Sequence, residues 1–294
     1  MDYTDAKPID GIWFTERNPD PGPQDVEMEC SESVNVEECS ESVNARYDMD
    51  REKKNLALII NNEKFDKSTE MSGRQGSDRD ASAIKKALES LHFKVIDRKN
   101  LSVKAMTQIF TDISTMDHTK HNCFVCVLLT HGEDDNQVYG TDRKVNLNEL
   151  VQMLLPDRCP GLIGKPKLFF IQACRGTKLD RGAVMHDADA FVRGKYQNVT
   201  SHKVPLWADV LLAYSTVPGF YAWRNSTNGS WFIQSLAHIL EKDGDQLELQ
   251  RLLLLVNRNV AYEYESNSSH SSMNKMKQVP SIVSMLTKEL HFYK

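Results

Sequence analysis

The sequence predicts an α/β fold, a mostly parallel sheet covered by helices, and two observations carry that prediction. Short runs that are apolar throughout alternate along the chain with segments whose apolar residues recur at helical spacing. The apolar content, 40 % of 294 residues, is ample for the core of one large domain or two small ones.

Taken in order, residues 56–60 (LALII) read as a first buried strand, and 78–91, with Ala81, Ile84, Leu88 and Leu91 on one face, as a helix. Strands follow at 93–96, 123–129 and 167–171, with helical segments at 103–113 and 147–154 between them. A second apolar stretch at 209–213 precedes helices over 231–240 and 247–262 and a last strand at 282–286. Residues 177–205 carry Gly, Asp and charges without a sustained period, so they read as an exposed connector. Residues 1–54 are acidic, rich in Ser, Pro and Asn and aperiodic, the composition of a disordered leader. Within the leader ECSESVN at 29–35 recurs at 38–44, but two copies are too few to build a repeat fold.

Composition also excludes. No apolar run reaches the ~18 residues that a membrane helix needs, and MDYTDAKPID does not resemble a secretory signal. Six cysteines without framework spacing indicate free thiols in a reducing, cytoplasmic setting. A net charge of −5 argues against a nucleic-acid partner. Cys123 and Cys126 have the spacing of a redox or zinc pair, but positions three apart on a strand face opposite sides of the sheet, so both belong to the core. There is no Gly-rich phosphate loop and no HExxH helix, so no cofactor and no metal are expected.

Chemistry concentrates at two strand ends. In FFIQACRG (169–176) Cys174 falls just past the strand at 167–171, and in THGE His131 falls just past the strand at 123–129. The carboxyl edge of an open α/β sheet is where ligands and chemistry sit. An imidazole titrating near neutrality moves protons, a thiol needs help to ionise, and together they make a nucleophile with its acid/base. Gly132 lets a carbonyl approach, and the amides of Gly132 and Cys174 then supply an oxyanion site.

These residues carry a family resemblance. Gln172-Ala173-Cys174-Arg175-Gly176, with a histidine 174 − 131 = 43 residues upstream, is similar to the pentapeptide of caspases. THGE at 130–133, AYST at 213–216, WRNS at 223–226, GSWF at 229–232 and SMLTKEL at 284–290 extend the resemblance from about residue 55 to 294. With its short leader, the chain resembles an executioner-type caspase. The resemblance implies a mostly parallel six-stranded sheet built from a large subunit, 55–187, and a small one, 188–294, behind a leader of 1–54.

It further implies a cysteine endopeptidase that cuts after aspartate, with His131, Cys174 and Gly132 in the catalytic roles. By matching position, Arg74, Gln172 and Arg224 receive the substrate aspartate, and guanidinium forks suit a carboxylate. The same matching sets Tyr221 and Trp223 along the neighbouring pocket, Asn225 and Trp231 at the site for the residue three before the cleaved aspartate, and Ser215 and Ser226 among the substrate-binding residues. Two departures stand out. Asn267-Ser268-Ser269-His270 replaces the phenylalanines that executioner caspases often carry there, and Ala222 stands where many relatives have serine.

The implied partners are protein substrates with aspartate at the cut, a second copy of the chain as a homodimer, an upstream initiator caspase and inhibitor-of-apoptosis proteins. Activation would cut the connector, where Asp187 and Asp189 are each followed by a small alanine. Val184 three before Asp187 favours that site over Asp189, which has His186 there. In the leader, Asp5 of Asp2-Tyr3-Thr4-Asp5 is the expected trimming site. Two rivals remain at this point: a catalytically silent binding module, and a relative that cuts after Arg or Lys.

Overall fold

The apolar runs at 56–60, 123–129, 167–171 and 209–213 become strands buried on both faces, and those at 93–96 and 282–286 become the two edge strands. The computed structural model describes residues 45–182, 205–268 and 270–294. Along them run β1 (Asn55–Asn61), α1 (Ser77–Ser90), β2 (Phe93–Lys99), α2 (Val103–Ser114), β3 (Phe124–Leu129), β4 (Gln137–Tyr139), β5 (Lys144–Asn146) and α3 (Leu147–Gln152). After them come β6 (Lys167–Gln172), β7 (Val210–Tyr214), β8 (Arg224–Asn225), β9 (Gly229–Ser230), α4 (Trp231–Asp243), α5 (Leu249–Glu263) and β10 (Ser281–Ser284). Six strands form one sheet in the order β10-β7-β6-β3-β1-β2, parallel throughout except for the antiparallel edge strand β10.

Period-two alternation sorts the strand residues between two cores. Ala57, Ile59, Val125, Val127, Leu168 and Phe170 face a layer that includes Ile84 of α1, Phe232 and Leu236 of α4 and Leu252 of α5. Leu58, Ile60, Phe124, Leu128, Phe169 and Ile171 face Met106 and Phe110 of α2 and Leu150 of α3. Each such side chain contributes about 1.5–3 kcal/mol on leaving water. Cys123 lies in the first core and Cys126 in the second, as strand geometry requires. The helices start at polar caps: Ser102 Oγ accepts from the Ala105 amide, Ser230 Oγ from Ile233, and the Glu248 carboxylate from Gln250 and Arg251. No helix of the described residues is long and apolar enough to cross a membrane.

The structure departs from the sequence reading in four places. Residues 45–54, assigned above to the leader, pack on the body: the buried Tyr47 hydroxyl donates to Asp209 Oδ1 at 2.6 Å, and the Tyr47 amide bonds the Glu289 carbonyl. Low hydrophobicity hid this, because Tyr47 in the core and Met49 against it are the segment's apolar anchors and backbone and side-chain bonds supply the rest. The connector begins later than residue 177, since Lys178 bridges Phe220 and Asp180 bridges Lys277. The hairpins β4–β5 and β8–β9 were missed, their strands being too short to show a period. Finally, β10 ends at Ser284 and α3 at Gln152, short of the predicted 286 and 154. Asp5, Asp187 and Asp189 lie outside the described residues.

The sheet crosses the connector. β6 precedes it, β7 follows it, and the two pair in register from Lys167 with Val210 to Ile171 with Tyr214. Cutting the connector therefore leaves one sheet.

Candidate active site

The register places Asn61, Leu129 and Gln172 side by side at the carboxyl edge of β1, β3 and β6. Beyond that row the chains leave the sheet, and the amides of Asn62, Thr130 and Ser215 bond back to the Leu129, Gln172 and Ile171 carbonyls. His131 and Cys174 are among the next residues out.

The loop of His131 is held by the β4–β5 hairpin that sequence reasoning missed. Thr130 Oγ1 donates to the Tyr139 carbonyl at 2.6 Å, the Tyr139 amide to the His131 carbonyl, and the Glu133 amide to the Gln137 carbonyl. Gly132 runs so close to the Cys174 carbonyl and the Ala173 side chain that a Cβ there would collide with both. Glycine is needed at this point for close approach of backbone to backbone, and the approach brings the two loops together.

His131 Nε2 lies 2.8 Å from the Ser72 carbonyl oxygen. A carbonyl only accepts, so Nε2 carries the hydrogen of the neutral ring and Nδ1 presents the lone pair. The Phe65 ring, 4.8 Å away and tilted by 53°, flanks the imidazole. Burial pulls His131 down to about 4 and the charges of Arg74 and Arg224 press the same way, against the Ser72 bond, which raises it. Burial likewise pushes the Cys174 thiol up, opposed by the Ala222 amide that bonds it and by the same two arginines. The neutral thiol and the neutral imidazole are thus the favoured forms, and a neutral imidazole is able to accept a proton.

The arginines stand on opposite sides of the connector, Arg74 ahead of α1 and Arg224 on β8. Arg74 is 1 % exposed, donates to the Asn62 carbonyl at 3.3 Å, and is lowered to about 9, first by burial and then by the charge of Arg224. Arg224 is half-buried and its charge acts on Arg74, so an anion near the pair would be favoured. Gln172, buried to 2 %, has a side-chain oxygen with no partner among the described residues, so its amide retains open hydrogen-bonding capacity.

Other predicted residues take supporting positions. Ser215 is fully buried and its Oγ donates to the Ala173 carbonyl at 3.0 Å, bracing the segment before Cys174. Asn225 is buried, and its Oδ1 accepts from the Thr227 and Asn228 amides at 2.7 Å, closing the β8–β9 turn with Ser226 inside it. Tyr221 meets Trp223 edge to face at 5.2 Å, and Trp223 stacks on Trp231, which stacks on Tyr264. Trp231, 2 % exposed, lies between Trp223 and Tyr264 in this stack. Ser72, Phe65 and Gln278 escaped the sequence reading. Gln278 accepts from the Trp223 amide at 2.6 Å and donates to the Ser215 carbonyl at 2.7 Å, tying the two loops together.

The chain is similar to known proteins over most of its length. The family described as Caspase domain matches residues 54–291. The chain is 45 % identical to Caspase-3 of Bos taurus over 246 residues, which cover 84 % of this chain and 87 % of the relative. It is 45 % identical to Caspase-3 of Mus musculus over 247 residues, with the same coverage. Among solved structures, Caspase-1 from Spodoptera frugiperda superposes with a TM-score of 0.78 at 37 % identity, covering 86 % of this chain and 94 % of that one.

Proposed function

This chain belongs to the caspase family, and on that premise we propose that Cys174 is its nucleophile, His131 its acid/base, and Arg74, Arg224 and Gln172 its receptor for the substrate aspartate. It is an executioner-type, cysteine-type endopeptidase that cuts peptide bonds after aspartate and acts in apoptosis. The observation that carries the assignment of roles is the emergence of His131 and Cys174 at one edge of the sheet, their loops in contact at Gly132, where the charges of buried Arg74 and half-buried Arg224 act on both.

The steps follow from the geometry. The aspartate carboxylate settles between the guanidiniums, bringing the main-chain carbonyl carbon of the same residue to Cys174 Sγ. The thiol proton passes to His131 Nδ1 as the S–C bond forms, and the carbonyl oxygen gains charge toward the amides of Gly132 and Cys174. The C–N bond then breaks, and the amine leaves with the proton from His131. Water attacks the thioester, giving one proton to His131, and the thiol reforms as the carboxylic acid departs.

A silent binding module would not need the Nε2–Ser72 bond that frees Nδ1, and a pocket for Arg or Lys would not hold a buried and a half-buried cation. Turnover of paired peptides ending in Asp and Arg tests all three readings: cleavage after Asp alone is expected, and either no cleavage or cleavage after Arg overturns the assignment.

The pH profile follows from His131. Since the base is the neutral ring, kcat/KM should hold down to about pH 5 and fall below it, where the substrate carboxylate also begins to take protons. An acid limb half-complete near 6.5, the ordinary imidazole value, would show His131 to be unburied in the working enzyme.

Activation rests on the connector. Asp180 is engaged, its carbonyl accepting from the Lys277 amide at 2.8 Å and its carboxylate from Gly182, which supports cutting at Asp187 or Asp189 instead. That cut divides a large part, 55–187, from a small part, 188–294, which stay joined through β6 and β7. Intact-mass analysis of active protein should show a small chain beginning at Ala188 or Ala190; full activity from an uncut Asp187→Ala, Asp189→Ala variant refutes it.

A homodimer is supported by β10, which ends the sheet and whose Val283 is 44 % exposed, so that a second copy would pair edge to edge. An upstream initiator caspase and inhibitor-of-apoptosis proteins as partners, and trimming at Asp5, rest on family membership. A cytoplasmic location agrees with the free thiols Cys123, Cys126, Cys159 and Cys174.

A further inference from the structure

Beneath the arginine pair lies a carboxylate for which the mechanism above has no use. Asp80 stands one turn into α1, six residues past Arg74, and is fully buried. Its Oδ1 accepts from the Ser230 amide at 2.8 Å and from Gln234 Nε2 at 2.9 Å. Ser230 pairs with Arg224 across the β8–β9 hairpin and caps α4, so one oxygen of the large part grips the turn that presents an arginine of the small part. Gly229, at φ +91°, approaches Oδ1 so closely that any Cβ would strike it. Only glycine permits both that backbone conformation and that contact.

Among the described residues Asp80 makes no hydrogen bond to either guanidinium, yet its charge acts on both arginines. Its second oxygen, Oδ2, is buried with no partner among the described residues. A half-satisfied buried carboxylate costs stability. Here the charge is offset by those of Arg74 and Arg224 and by the N-terminus of α4, and the residue links elements from both sides of the connector.

We infer that Asp80 is a positioning residue for aspartate selectivity: acting through Ser230 and Gln234, it fixes the β8–β9 hairpin so that Arg224 meets the substrate carboxylate at a set spacing from Arg74. This rests on the assignment of those arginines to the pocket. A carboxylate one methylene longer, that of glutamate, is rejected only if the spacing is held, so selectivity between Asp and Glu reads the role of Asp80 directly.

The test compares peptides ending in Asp and in Glu, with rates normalised to active sites counted by an irreversible thiol-reactive peptide. Misfolding lowers the count of sites and leaves the selectivity of the remainder unchanged, whereas a displaced hairpin changes the selectivity itself. Asp80→Ala should reduce kcat/KM for the Asp peptide by about 100-fold per site, the scale of a misplacement of about 1 Å, and lower the Asp-over-Glu ratio at least ~10-fold. Asp80→Asn keeps an acceptor toward Ser230 and Gln234 and should restore most of that ratio. Should Asp80→Ala fail to fold, Gln234→Ala, which removes one of the two bonds, is expected to lower the ratio by about threefold. An unchanged Asp-over-Glu ratio per site in the folded variants overturns the inference. A wild-type enzyme indifferent to the terminal residue would overturn the pocket assignment as well, so the two failures are told apart.

Discussion

Replacing Cys174 by alanine should reduce hydrolysis of an aspartate-ending peptide to background, a loss on the order of 10⁶-fold by analogy with removal of a protease nucleophile. The variant should keep its fold. Cys174 is half-buried at a loop start, and its backbone neighbours are held by other residues: Ala173 by Ser215 Oγ, and Arg175 by the Phe220 and Gly219 backbone. The Arg175 side chain adds a cation–π contact 3.9 Å above the Tyr214 ring and a bond to Asn136. None of these contacts passes through the thiol. Removing a group whose ionised form is disfavoured by burial should shift the melting temperature little. Turnover and thermal melting measured on one preparation check both halves. Activity retained above about one part in a hundred would mean that another group attacks, and collapse of the fold would mean that the thiol is structural.

That prediction was within reach of the sequence because nucleophile and base each follow a run too apolar to be anything but a buried strand. Residues 123–129 and 167–171 announce their strands, and once the strands are parallel neighbours, His131 and Cys174 must emerge at one edge. The arginines are different. Nothing in the local sequence of Arg74 or Arg224 separates a pocket cation from a solvated one, and only the family motif raised them. Ser72 left no trace at all, since its contribution is a carbonyl that every residue possesses. Asp80 was hidden in plain view: an aspartate in the first turn of a helix reads as ordinary helix chemistry, and its partners lie 150 residues away.

Two buried groups also oppose each other in acid. His131, lowered to about 4, makes the unfolded chain the greater binder of protons as pH falls from about 6.5, so its share of stability is lost on acidification through that window. Asp80, raised to about 6 by burial, makes the folded chain the greater binder between about 3.8 and 6, so its cost is relieved over nearly the same range. The carboxylate beneath the pocket thus offsets what the catalytic base loses in acid.

The second large effect belongs to Arg224. Its guanidinium is lowered mainly by burial, while Asp80 and Glu63 are among the groups that raise it, so it remains charged in the working range. Arg224→Ala leaves Arg74 alone opposite the substrate carboxylate, and truncating one partner of a desolvated charge pair costs about 2–5 kcal/mol. The expected loss in kcat/KM is therefore about 30-fold to several thousandfold. Arg224→Lys should recover little, because a single ammonium cannot reproduce the planar fork. Deleting Arg224 also removes a side chain from the hairpin that packs on α1, so lost rate alone would not prove contact with substrate. A substrate ending in asparagine supplies the control. It keeps the shape and discards the charge, so an Arg224 that reads the carboxylate costs nearly the full penalty with the aspartate peptide and far less with the asparagine one. The coupling between enzyme and substrate changes isolates that one contact. Equal losses on both peptides, or a loss below about tenfold on the aspartate peptide, would remove Arg224 from the pocket and leave Arg74 and Gln172 to hold the carboxylate.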